Sequence, residues 1–216
     1  MVTTLKARKL TLDDAHQLLG FSPNFDGSFD DRLILEEVSE TDCTALNQIR
    51  DRLLHYITLG QVSEGQAREL SVAPLLQLAG YHNSPIYLRI EENIDRIYIE
   101  SDDLHITGRF DIVAVNRDFS NTILTPLWIL VIESKNIEAS EYVGIPQMLT
   151  YAHNSLTHQS AVWGLVTNGS TYQFFYLTKN AETLTYQYMP SLTIRERDRA
   201  LYLLQVLRAI RTWSPS

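Results

Sequence analysis

The chain has 216 residues, 44% apolar and 20% charged, close to the average of a globular domain and long enough for one sizeable core. A formal net charge of −8 argues against a uniformly basic nucleic-acid binder, although it leaves room for a local basic strip beside acidic residues. A lone cysteine, Cys43, excludes an internal disulfide framework and a cysteine-based zinc site. The start, MVTTLKARKLTLDD, has positive charges with no apolar run behind them, and the longest apolar run, Leu127 to Ile132, is too short to span a bilayer. The expectation is a soluble cytoplasmic protein without a membrane partner.

In chain order, residues 1–60 read as a helical N-terminal extension to a second unit over 61–216. A short helix starts at Thr11, a good N-cap, and ends near Gly20. Asn24 to Asp31 reads as a loop, and Leu46, Ile49, Leu53 and Leu54 mark a helix over Thr41 to Tyr56. Ser63 and Gln66 form a capping-box pattern opening a helix to about Leu78, with Pro74 interrupting it and Gly80 closing it.

From Ile86 the pattern becomes strand-like. Ile86 to Ile90 and Arg96 to Glu100 read as hairpin arms, followed by strands over His105 to Val115 and Leu127 to Ser134 across a polar loop, Asn116 to Thr122. The unbroken run LWILVI marks the last of these as central and covered on both faces. A helix over Gly144 to Asn154 leads to strands Ala161 to Thr167 and Thr171 to Leu177, joined across Asn168-Gly169. An amphipathic helix, Ile194 to Trp213, ends the chain. This order predicts a mixed α/β sandwich.

The chemistry concentrates in GRFDIVAV (Gly108 to Val115) and LWILVIESK (Leu127 to Lys135). Alternation puts Asp111, Val113 and Val115 on one face of their strand, and Glu133 and Lys135 on one face of theirs. Charges on such apolar strands are usually paired or metal-bound, because burying one alone is costly. Carboxylate oxygens suit a hard cation such as Mg²⁺. Read blandly, E-x-K is a strand-end ion pair and Asp111 a turn residue.

The order D-(x)21-E-x-K between a hairpin and a crossover helix resembles the PD-(D/E)xK nuclease superfamily. More narrowly, ITGRFD (106–111), VIESKN (131–136), Gln147-x-x-x-Tyr151 and VWGLVTNG (162–169) resemble the nuclease domain at the N-terminus of type I restriction enzyme motor subunits and its stand-alone relatives. SEGQAR and PLLQLAGY (63–68 and 74–81) are similar to that family's first helix. The likeness covers about 63–180 and implies a restriction-endonuclease-like mixed central sheet flanked by helices.

The resemblance implies that Asp111, Glu133 and the Ser134 backbone carbonyl are metal ligands, that Lys135 is the catalytic lysine, and that Gln147 and Tyr151 hold DNA or the lysine. Glu64 fits the first-helix acid by its spacing to Pro74 and Gly80. Glu69 is the alternative, and the two, five residues apart, cannot share a helix face. Phe110 stands where the superfamily's name has Pro. There is no Walker A pattern, hence no helicase motor in this chain. The expected activity is Mg²⁺-dependent (Mn²⁺ substituting) hydrolysis of DNA by an endodeoxyribonuclease, as a homodimer if both strands are cut. A second reading is a catalytically silent nuclease fold serving as a scaffold or partner subunit in a restriction or defence complex, and a third is an RNA or branched-DNA nuclease. Glu91 is weighed as a supporting acid against a solvated turn. The arginines of the C-terminal helix interleave with Glu196 and Asp198 and read as a solvated face.

Overall fold

Strand Leu127–Ser134 is the axis of the fold: Ile129, Leu130, Val131 and Ile132 are wholly buried, as an apolar run covered on both faces requires. The computed structural model describes residues 3–100, 103–117, 127–181 and 183–214. Its elements are β1 (Thr3–Lys6), α1 (Leu12–Leu19), β2 (Phe21–Asn24), α2 (Glu40–Leu59), α3 (Glu64–Ala67), α4 (Ala73–Leu78), β3 (Ile86–Ile90), β4 (Ile97–Ile99), β5 (Leu104–Thr107), β6 (Ile112–Asn116), β7 (Leu127–Ser134), α5 (Ile145–Ser155), β8 (Ala161–Thr167), β9 (Thr171–Asn180), β10 (Thr183–Tyr188), β11 (Leu192–Thr193) and α6 (Arg197–Thr212). Most of the polar loop after β6 lies outside the described residues.

The fold is a mixed α/β structure built on a large mixed sheet with helices on both faces. The large sheet runs β2-β10-β9-β8-β7-β6-β3, with β11 also pairing to β9, and a separate small sheet runs β1-β5-β4. Only β7/β8 and β10/β2 are parallel within the large sheet. The parallel β7–β8 pair needs a crossover, and α5 supplies it. One core lies between the sheet and α2, α4 and α6; the other lies beneath α1, α5 and the small sheet. Strand alternation deals residues between them: Ile112, Leu130 and Ile132 go to the first, and Val113, Val115 and Val131 to the second.

Three expectations from sequence need correction. Residues 1–60 are not purely helical. β1 pairs with β5, β2 forms an edge of the large sheet, and Leu46, Ile49 and Leu53 of α2 share a core with β7 and α6. Both strands have only four residues, too few to show a period, and β2 tolerates Pro23 because it lies at an edge. Second, Ile86–Ile90 is not a hairpin arm to 97–99; β3 pairs with β6, and β4 with β5. Third, the strand expected over 105–115 is two strands in two sheets, broken at Gly108–Asp111.

The helix opening at Ser63 is capped as expected, with Ser63 and Gln66 bonding each other's backbone amides. It widens into a π turn at Arg68–Val72 before α4. Pro74 lacks the amide proton that would close a bond to Leu70 and crowds that carbonyl, which accounts for the widening. At its far end the Tyr81 amide bonds Leu76 O and the Gly80 amide bonds Gln77 O. These two bonds form a Schellman cap, with Gly80 at φ 88 supplying the left-handed residue.

Tyr81 locks this cap to α6. Its ring is fully buried and its hydroxyl donates to Leu207 O at 2.9 Å. Tyr81→Phe keeps the ring and removes only that bond. The expected loss is about 1 kcal/mol, read as a lower urea midpoint at unchanged slope. An unchanged midpoint would show that the bond contributes nothing.

Candidate active site

The break between β5 and β6 brings Asp111 to the site. Gly108 lets the chain pass closely beneath α5, since a Cβ there would lie 2.7 Å from the Tyr151 ring and 2.9 Å from Ala7. Phe110 is then buried against Trp128 and Tyr151, which fixes the bend and leaves Asp111 at the entrance to β6. There Asp111 Oδ2 accepts two hydrogen bonds of 2.7 Å, from the Ser134 amide and the Ser134 hydroxyl. A single residue of β7 thus clamps one carboxylate oxygen, while the other lies 3.9 Å from the Arg68 guanidinium.

Glu133 shares the face of Val131 and points toward α5. It is only 2% exposed. Lys135 Nζ donates to Glu133 Oε1 at 2.6 Å and to Gln147 Oε1 at 2.9 Å. Gln147 Nε2 donates to the Tyr151 hydroxyl at 3.2 Å, and that hydroxyl donates to Arg109 O at 2.8 Å. Gln147 and Tyr151, four apart, therefore stack along one face of α5 as a relay ending on Lys135. The approach of α5 to the strand end depends on Gly144, where a Cβ would meet Val166 at 2.5 Å and Glu133 at 3.2 Å.

Asp111, Glu133, Lys135, Gln147, Tyr151 and Glu64 all line one cavity of about 750 Å³. Glu69 is exposed and does not line it, so of the two first-helix acids only Glu64 faces Asp111 and Glu133. The Ser134 side of the strand is occupied by its clamp on Asp111, a contact the sequence reading did not anticipate.

Burial pushes the Glu133 carboxyl up to about 8, and the neighbouring Asp111 charge adds to this; the Lys135 ammonium opposes both. Burial also pushes the Tyr151 phenol up, reinforced by Glu133, so Tyr151 stays a neutral donor. The second Glu133 oxygen, Oε2, is buried without any hydrogen-bond partner.

Two residues enter that the sequence reading left aside or only weighed. Arg68 sits among three acids, 2.9 Å from Glu91 and 3.9 Å from both Glu64 and Asp111. Its i,i+4 relation to Glu64 was legible in sequence. Glu91 holds Arg68 from a left-handed backbone conformation (φ 53), and its amide bonds Asp111 O. It supports the site rather than lining the cavity.

Among the described residues, no group of three or more His, Cys, Asp or Glu side chains is gathered to hold a metal. Two carboxylates are the available set. The orphaned Glu133 Oε2 beside Asp111 is the observation that fits a cation, because a buried carboxylate oxygen without a donor is otherwise costly.

No protein-family model matches the chain, and no curated protein matches it. Among solved structures, it is similar to a fragment described as an HsdR subunit of a type I restriction enzyme from Vibrio vulnificus YJ016. Sequence identity is 20% and the TM-score 0.38, with the match covering 67% of this chain and 26% of that one. The functional reading therefore stands on the geometry of the site. No helix among the described residues is long and apolar enough to cross a membrane.

The raised Glu133 carboxyl has a stability consequence. Its folded value, about 8, exceeds the ordinary 4.5, so its contribution is complete below pH 4.5 and is lost as pH rises through 8. In metal-free buffer the wild type is expected to lose several degrees of melting temperature relative to Glu133→Gln across that window. Parallel pH profiles for the two proteins would contradict the buried charge.

Proposed function

We propose that this chain is a PD-(D/E)xK-type phosphodiester hydrolase with a restriction-endonuclease-like fold, acting on DNA with Mg²⁺, for which Mn²⁺ substitutes. The observation that carries this reading is the buried Glu133, bonded through one oxygen to Lys135 and free at the other, facing Asp111 in one cavity. Asp111 and Glu133 would hold the cation, with the Ser134 carbonyl as a further ligand. When bound, it would neutralise charge on the phosphodiester and make its coordinated water more acidic.

The remaining roles belong to side chains. Lys135 would stabilise the negative charge that develops as water oxygen bonds to phosphorus and the bridging P–O bond breaks. Gln147 fixes the Lys135 ammonium, and Tyr151 fixes Gln147 from the Arg109 carbonyl. Glu64, which lines the same cavity, would accept a proton from water. Cutting both strands of a duplex would call for two such sites, hence a homodimer.

A second reading, a silent scaffold within a restriction or defence complex, draws support from Arg68, which already supplies a cation among Glu64, Glu91 and Asp111.

Purified protein with supercoiled plasmid and Mg²⁺ or Mn²⁺ separates the two. Nicking or linearisation is expected, falling by at least about 100-fold in Asp111→Ala and Lys135→Ala. Saturating Mn²⁺ should also raise the melting temperature of wild type and not of the double variant Asp111→Ala/Glu133→Gln. Cleavage that survives both single substitutions would sink the assignment, and absent cleavage with no Mn²⁺-dependent stabilisation would favour the scaffold.

A further inference from the structure

The cavity that holds the acids has a second wall. Lys6, Arg8, Arg96 and Arg109 line it together with Glu64, Asp111 and Glu133. With Lys135, the lining carries five cations against three acids, in a chain whose net charge is −8. The lining is thus locally net positive, in the cavity that the proposed function assigns to the phosphodiester.

These cations come from the small sheet and its connections. Lys6 ends β1 and pairs in register with Thr107 of β5, which also lines the cavity. Arg96 directly precedes Ile97, the partner of Ile106 across β4/β5, so it stands at the same end of the sheet. With strands about 4.8 Å apart, Lys6 and Arg96 flank Thr107 across a row roughly 10 Å wide. Arg8 follows in the short 3-10 turn Ala7–Lys9.

Lys6, Arg8 and Arg96 are exposed, and none has a hydrogen-bond or ion-pair partner among the described residues. Two arginines of α6, the other basic stretch, are engaged elsewhere: Arg199 with Glu196 at 3.1 Å and Arg208 with Asp42 at 2.9 Å. A solvated charge on a convex surface needs no explanation, but three such groups converging on a concave one do.

The wall is also rigidly joined to the acids. Ala7 is fully buried, Gly108 admits the Tyr151 ring, and the Tyr151 hydroxyl donates to Arg109 O. The helix that orients Lys135 through Gln147 therefore also sets the distance from the basic wall to the acids.

We propose that the small sheet is the seat of the DNA backbone, with Lys6, Arg8 and Arg96 binding phosphates that flank the scissile one. This rests on the hydrolase reading for the identity of the polymer.

The test is binding, measured apart from cleavage. Fluorescence anisotropy of a labelled DNA duplex is recorded with Ca²⁺ replacing Mg²⁺, over a series of salt concentrations. The variants are the triple Lys6→Gln/Arg8→Gln/Arg96→Gln, its conservative counterpart Arg8→Lys/Arg96→Lys, and the control Arg199→Gln. The triple variant is expected to bind on the order of 100-fold more weakly at 0.1 M salt, with a log–log salt slope lower by about 2 to 3. The lysine and Arg199→Gln variants should keep affinity and slope near wild type. A triple variant that binds like wild type overturns the wall and leaves the plasmid result standing. Wild-type protein that binds no duplex, or binds only an RNA duplex of equal length, also overturns it. Binding lost in the triple variant from a protein that never cuts plasmid would uphold the wall and refute the hydrolase.

Discussion

The buried contact between Glu133 and Lys135 is the constraint around which this site is arranged. An ionised carboxylate at 2% exposure costs several kcal/mol, and one lysine bonded to one of its oxygens offsets only part of that cost. The other oxygen has no donor, Asp111 stands nearby with like charge, and the carboxyl is pushed up to about 8 in response. An apolar residue at 133 would pack into the same position between Val131 and Val166 without these penalties. Under the proposed function a cation would satisfy the free oxygen, and the clamp of Ser134 on Asp111 holds a second carboxylate toward the same space.

The fold serves this arrangement through three close approaches. Gly144 brings α5 down onto the end of β7, so that Gln147 reaches Lys135. Gly108 lets the crossing chain slide beneath Tyr151. Phe110 fills the pocket beside Trp128 and turns Asp111 outward at the start of β6. Together they tie the large sheet, the small sheet and α5 into one body, and the site lies where the three meet. The π turn at Arg68–Val72 adds a fourth element, presenting Arg68 to the acids from the first helix.

Much of this was legible because the local signals were strong. The apolar run of β7, the caps at Thr11 and Ser63, the Asn168-Gly169 turn and the four-residue spacing of Gln147 and Tyr151 each state their own structure. Alternation put Glu133 and Lys135 on one face of their strand, and the resemblance to the nuclease superfamily implied that Asp111 meets them; the structure lines one cavity with all three. What stayed hidden was non-local. β1 and β2 are too short to show a period, and nothing local tells β3 to pair with β6 instead of β4. The split at Gly108–Asp111 is decided by space beneath Tyr151, a residue 43 positions from Gly108. β10 did carry a readable signal, with Leu184 and Tyr186 buried in alternation. The basic wall was invisible because Lys6, Arg8 and Arg96 are scattered in sequence and meet only through the small sheet.

The proposed function requires that the free oxygen of Glu133 and the outer oxygen of Asp111 share one cation. Crystals of the wild-type protein grown with Mn²⁺ and measured at the manganese absorption edge answer this directly. An anomalous peak is expected between the two carboxylates, within about 2.0–2.6 Å of an oxygen from each. Saturating Mn²⁺ with no peak there, or a peak bound by only one of the two side chains, would contradict it.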